Sequence, residues 1–149
     1  MTIKEQLQSD LTAALKERET LKVSTLRSVI GAVQTQEKSG KTAVDFDDEQ
    51  VLSVLAKEAK KRLDTSEEFE KLGYAERAAT EKAEALIIQA YLPEAASYDD
   101  IVAVVSSIMS QFDAPTPRDM GTIMKQAKAH FGAAVDGKQL SDVVRSMIG

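Results

Sequence analysis

Apolar residues recur along this chain at intervals of three and four, the spacing that gathers them on one face of an α-helix, and no stretch alternates as a half-buried strand would. Seven helical segments follow from that pattern, each with recognisable end signals. The first opens at Thr2, with Glu5 three residues on as a capping-box pair, and carries Ile3, Leu7, Leu11, Ala14 and Leu15 before closing near Arg18. The second starts around Thr20, bears Val23, Leu26, Val29, Ile30 and Val33, and meets Gly40 as its expected stop. After a loop over 40–46, Asp47 and Gln50 form an N-cap pair, and Phe46 with Val51 is placed as a hydrophobic staple. That third helix runs through Val54, Leu55, Ala59 and Leu63 to about Leu72, where Gly73 supplies a left-handed close.

The fourth segment presents Ala75, Ala79, Ala83, Leu86, Ile87, Ala90 and Tyr91 as one continuous face, expected to pack along its whole length. Pro93 then removes a backbone donor and biases Leu92 away from helical geometry, so the chain must turn. Residues 93–97 are a linker. Ser97 with Asp100 caps a fifth helix facing inward through Ile101, Val104, Val105, Ile108 and Phe112. Thr116 and Pro117 open the sixth, with Met120, Ile123, Met124, Ala127 and Phe131 on its face and Gly132 as its stop. Asp136 caps the seventh, whose stripe is Leu140, Val143, Val144, Met147 and Ile148. The expected fold is all-α: a four-helix bundle-like N-terminal domain over residues 1–92 and a three-helix C-terminal domain over 93–149.

Composition narrows the chemistry. Without cysteine there are no disulfides, thiolate metal sites or cysteine nucleophiles. No apolar run approaches a membrane span and the polar N-terminus lacks a signal-peptide core, so the expectation is a soluble, cytoplasmic protein with no membrane partner. Net charge is -5, which disfavours strong nonspecific nucleic-acid binding, since that affinity comes from clustered Lys and Arg.

A catalytic centre is not legible. The lone histidine, His130, sits beside core Phe131 near a helix end, where a protonated imidazole suits the carbonyl terminus. Asp45, Asp47, Asp48 and Glu49 are the one tight acidic cluster, and they lack the glycine and distal glutamate of a calcium loop, so helix capping explains them better. No metal, no cofactor and no nucleotide cradle is expected.

Two basic groupings remain. Lys57, Lys60, Lys61 and Arg62 form a patch on the third helix, with Lys57 and Lys61, and Glu58 and Arg62, four residues apart; a solvated face beside the acidic 64–70 stretch is the competing explanation. Arg118, Lys125, Lys128, Lys138 and Arg145 outnumber Asp119, Asp136 and Asp142, making residues 116–149 net +2, a candidate phosphate-facing surface.

Leu26-Arg27, Glu58-Ala59-Lys60-Lys61-Arg62, Tyr91-Leu92-Pro93, Asp119-Met120-Gly121 with Met124-Lys125, and Asp136-Gly137-Lys138 occur in an order and spacing that resembles the GatB/YqeY family over nearly the whole chain. The full-length likeness is to stand-alone YqeY-like proteins. The C-terminal part resembles the tail of the GatB component of the tRNA-dependent amidotransferase that makes Gln-tRNA or Asn-tRNA. The resemblance implies two helical domains, a tail that engages tRNA, and a family label of carbon–nitrogen ligase with glutamine as amide donor. It implies binding to tRNA, or to an amidotransferase or aminoacyl-tRNA synthetase-like protein, rather than catalysis. Residues 132–135 depart from the family pattern in lacking a basic residue.

Within those motifs Gly121 is expected to permit close helix packing, since a mid-helix glycine costs about 1 kcal/mol against alanine. Lys138 opposes the helix dipole in a first turn and is the strongest single candidate for a functional contact. The alternative is a helical protein-interaction module that binds no RNA, favoured by the acidic pI of about 5.0.

Overall fold

The computed structural model describes residues 1–148, most of them in helices. It divides into two compact units, Met1–Leu92 and Pro93–Gly149. The described residues form seven α-helices: α1 (Ile3–Glu17), α2 (Thr20–Glu37), α3 (Asp48–Lys71), α4 (Ala75–Gln89), α5 (Tyr98–Met109), α6 (Met120–Phe131) and α7 (Gly137–Ile148). Two single 3-10 turns, Pro117–Asp119 and Gly132–Ala134, flank α6. No helix among the described residues is long and apolar enough to cross a membrane.

In the first unit Leu7 of α1, Leu26, Val29 and Val33 of α2, Val51, Leu55 and Ala59 of α3 and Ile88 of α4 form the core. The α3 start is the expected one. Asp47 accepts from the Gln50 N–H at 2.9 Å, the Gln50 side chain accepts from the Asp47 N–H at 3.0 Å, and Phe46 packs on the same core as Val51. Gly73 closes α3 with φ +82. At α1 the Thr2 half of the capping pair forms, its hydroxyl accepting from the Glu5 N–H at 3.1 Å.

Three expectations change. Leu15 is 46 % exposed, because the buried side of α1 turns on Leu7 and Ala14 instead. Gly40 does not end α2; the helix stops at Glu37, whose groups hold the following loop. Its carbonyl accepts from the Val44 N–H at 3.0 Å and its carboxylate from the Phe46 N–H at 2.8 Å, while Lys4 of α1 bonds both Glu37 and Asp45.

The third change is in α4. Ala75, Ala79, Leu86 and Ala90 are exposed, Leu86 at 61 %, and Ala78, Ala85 and Ile88 are the buried set. Six alanines over residues 75–90 make apolar spacing satisfiable on more than one side, so polar contacts decide the rotation. Ser66 of α3 donates to the Ala78 carbonyl at 2.8 Å. Arg62 of α3, its side chain 11 % exposed, reaches Glu84 at 3.1 Å, the Glu58 carbonyl at 3.1 Å and the Ser28 hydroxyl of α2 at 2.9 Å. At the other end of α4, Tyr91 donates to the Asp10 carboxylate of α1. Burial and then that carboxylate push the Tyr91 hydroxyl above its ordinary range, which keeps it a donor.

In the second unit Ile101, Val105, Ile108 and Met109 of α5, Ile123 and Ala127 of α6, and Leu140, Val143 and Val144 of α7 make one core. Ser97 caps α5, its hydroxyl accepting from the Asp100 N–H at 3.1 Å. Pro117 opens a 3-10 turn rather than α6 directly, and the Asp119 carboxylate accepts from the Thr116 N–H at 2.9 Å. The turn leads straight into Met120.

Two outcomes follow for the first unit. Arg62→Met removes a guanidinium that links three helices and leaves Glu58 and Glu84 facing each other. It should lower unfolding free energy by about 2 kcal/mol in urea titrations, with the Glu84→Gln double mutant losing less than the sum of the single changes. The hydrogen bond to Lys4 holds both Glu37 and Asp45 below the usual carboxylate range, with the Phe46 N–H adding to it at Glu37. Lowered carboxylates give stability that is present above their ordinary value and lost as pH falls through the lowered one. Urea midpoints should therefore decline below about pH 4.5, and Lys4→Met should flatten that limb.

Candidate nucleic-acid interface

The basic residues of the second unit are organised by the turn between α6 and α7. Gly132, with φ +56, ends α6; the Gly132–Ala134 turn follows, and Val135 is extended. Asp136 then caps α7, its carboxylate accepting from the Lys138 N–H at 3.3 Å and its carbonyl from the Leu140 N–H at 3.0 Å. A Cβ built on Gly137 would meet Lys128 Nζ at 3.7 Å and Cε at 3.8 Å, so the Lys128 side chain lies across this turn. The Lys128 ammonium thereby lies at the N-terminus of α7, beside the position of the exposed Lys138 and next to the Asp136 carboxylate that caps the helix.

Along α6, Gly121, Lys125 and Lys128 stand four and three residues apart, on the side opposite buried Ile123 and Ala127. All three are exposed, as is Arg118 in the preceding 3-10 turn. A Cβ at Gly121 would have nothing within 4 Å, which overturns the expectation that this glycine lets helices approach. Its effect is outward: between Arg118 and Lys125 it leaves bare helix backbone on the basic side. Arg145, on α7, is 69 % exposed and 4.0 Å from Asp142, a partner that offsets its charge. His130 is exposed in the last turn of α6, edge-on to Phe131 with centroids 5.0 Å apart.

The other basic grouping, in the first unit, keeps Lys57, Lys60 and Lys61 exposed on one side of α3 but loses Arg62. Lys60 and Lys61 are exposed, with Lys60 3.9 Å from Asp64. Arg62 points the other way, its guanidinium spent on Ser28, Glu58 and Glu84, so it stands as a structural cation. Carboxylates of the acidic cluster also have structural partners: Asp45 pairs with Lys4, Asp47 caps α3, and Asp48 accepts from the Ile3 N–H at 2.9 Å.

Of the sites that the motif residues suggest, the structure brings Lys128 onto Gly137, the residue before Lys138, and aligns Lys125 with Gly121. It was the aspartate–glycine–lysine run that carried the first signal; the reach of Lys128 over Gly137, nine residues back, had none. Gly121→Ala tests the outward role directly. With open space at the Cβ, alanine should raise the stability of the second unit by about 1 kcal/mol in thermal or urea unfolding. A loss of stability would mean that the glycine serves packing after all.

Comparison with curated proteins gave no match. A family model described as Yqey-like protein matches residues 4–148, so the match takes in both compact units and every α-helix but the first residue of α1. The likeness seen in the ordered motifs is thereby borne out across their full span, and the chain belongs to the Yqey-like family.

Proposed function

We propose that this protein is a tRNA-associated accessory protein of the tRNA-dependent amidation type, which binds RNA phosphates through the second unit and does not itself transfer an amide group. The observation that carries this reading is the Lys128 side chain lying over Gly137 at the α7 N-terminus, one residue before the exposed Lys138. Exposed lysines on neighbouring turns form the kind of surface that phosphates contact. Lys125 and Arg118 extend it along α6, and the bare backbone at Gly121 lets a sugar–phosphate chain lie close between them. These side chains recognise charge; none is paired with a base that would make it a nucleophile.

The overall charge of -5 makes the reading specific about strength. Long-range attraction is weak, so affinity has to come from a few local contacts and should fall with salt in proportion to their number. Lys60 and Lys61 remain exposed on α3 and can add contacts of the same kind.

Mobility-shift titration with total tRNA at low and moderate salt is the test. Binding should appear at micromolar concentrations and weaken as salt rises. The Lys125→Gln, Lys128→Gln, Lys138→Gln triple variant should weaken it and reduce the slope of log affinity against log salt by about 2 to 3. A glutaminase assay of the purified chain should stay silent. Absence of binding at a few tens of micromolar would overturn the RNA reading in favour of a protein-interaction module.

A further inference from the structure

Three tyrosines occur in the chain, and two have partners. Tyr91 donates to Asp10, and Tyr74 meets the Phe69 ring edge-on with the Arg77 guanidinium beside it. Tyr98, the first residue of α5, makes no hydrogen bond and no ring or cation contact among the described residues, and it is 61 % exposed.

Its place on the helix makes that exposure informative. Tyr98 precedes Ile101 and Val105 by three and seven residues, so it shares the side of α5 that builds the core of the second unit. Both of those residues are wholly buried. Helical side chains lean toward the N-terminus, so the ring at the start of this stripe extends past the end of the core instead of filling it. An aromatic ring at such a rim offers a flat face to something outside the unit.

The same end of the unit carries cations. The Ala96 N–H, two residues before Tyr98, donates to the Ala134 carbonyl at 2.8 Å, which ties the start of α5 to the turn between α6 and α7. Three residues beyond Ala134 is Gly137, with Lys128 across it and the exposed Lys138 next in the chain. Ala96, Phe131 and Val135 pack on the core at this end. Ring and lysines therefore belong to one rim, made from the start of α5, the end of α6 and the start of α7. Carboxylates are present too. Glu94 precedes α5, and Asp99 and Asp100 occupy its first turn, where they suit the dipole and lie about 100° and 200° round the helix from Tyr98. Two lysines among them give a polyanion little net attraction, so an uncharged contact has to contribute. A base stacked on an aromatic ring is such a contact.

We propose that Tyr98 is a stacking platform for an unpaired base, next to phosphates that Lys128 and Lys138 contact. Tyr98 in that role, which rests on the RNA reading above, narrows the ligand: the second unit prefers unpaired segments, such as loops and free ends, to continuous duplex. In an A-form helix each base face is covered by its neighbours, so only a splayed nucleotide can lie on the ring. The contact tolerates any sequence, since every base has a π-face.

The chain has no tryptophan, so Tyr98→Trp installs a single fluorescent indole at the platform. Adding a single-stranded RNA of about twelve nucleotides to that full-length variant should quench its emission, and the same strand annealed to its complement should quench it far less. Tyr98→Ala should weaken binding of the single strand about tenfold at every salt concentration without changing the slope of log affinity against log salt, while Tyr98→Phe keeps the affinity. Urea midpoints of all three variants should match that of the unaltered chain, because the ring lies outside the core. The platform is overturned, and the phosphate contacts left standing, by single-strand binding that Tyr98→Ala does not weaken, by emission indifferent to RNA, or by equal affinity for the duplex. A fall in the urea midpoint of Tyr98→Ala overturns it as well. If neither strand nor duplex binds, the RNA reading falls and the platform with it.

Discussion

The first unit depends on the guanidinium of Arg62. It stands almost out of solvent where α2, α3 and α4 converge and gives hydrogen bonds to all three. A charged group so placed has to be satisfied on every side, because leaving it or its carboxylates unpaired costs far more than any one contact returns. That requirement fixes the rotation of α4, which its alanines leave open. The same contact therefore takes Arg62 out of the basic patch and turns Leu86 outward.

Elsewhere in this unit, polar contacts of long sequence separation hold the helix ends. Tyr91 is 81 residues from Asp10, and Lys4 is 33 residues from Glu37. Both tie α1 to later elements, so the helix with the fewest buried side chains in this unit is held by its partners along its length. The apolar core supplies most of the driving force; these bonds select which helix faces meet.

The second unit is built differently. Its core is almost wholly apolar, and its polar groups gather at turns, where Ser97, Thr116 with Asp119, and Asp136 organise helix starts. The turn before α7 combines a capping aspartate with a glycine small enough for Lys128 to cross. Lys128 thus lies at a helix start that Asp136 already caps.

The sequence by itself determined the all-helical class, the number and order of the helices, and the ends that local chemistry writes: Asp47 with Gln50, Ser97 with Asp100, Gly73, Gly132 and Asp136. These depend on residues within four positions of one another, and a helix closes its hydrogen bonds over the same range. The ordered motifs also carried the family. Which side of α4 is buried, where α2 stops, whether Arg62 is a surface cation and whether Gly121 faces a neighbour were decided only by tertiary structure. Each of these turns on contacts from distant segments, Ser28 and Glu84 for Arg62, Lys4 and Phe46 for Glu37, and no local pattern records such contacts. The candidate site divides in the same way: its lysines were legible as a basic run, but the reach of Lys128 over Gly137 exists only once α6 and α7 have packed through Ile123, Ala127, Leu140 and Val144.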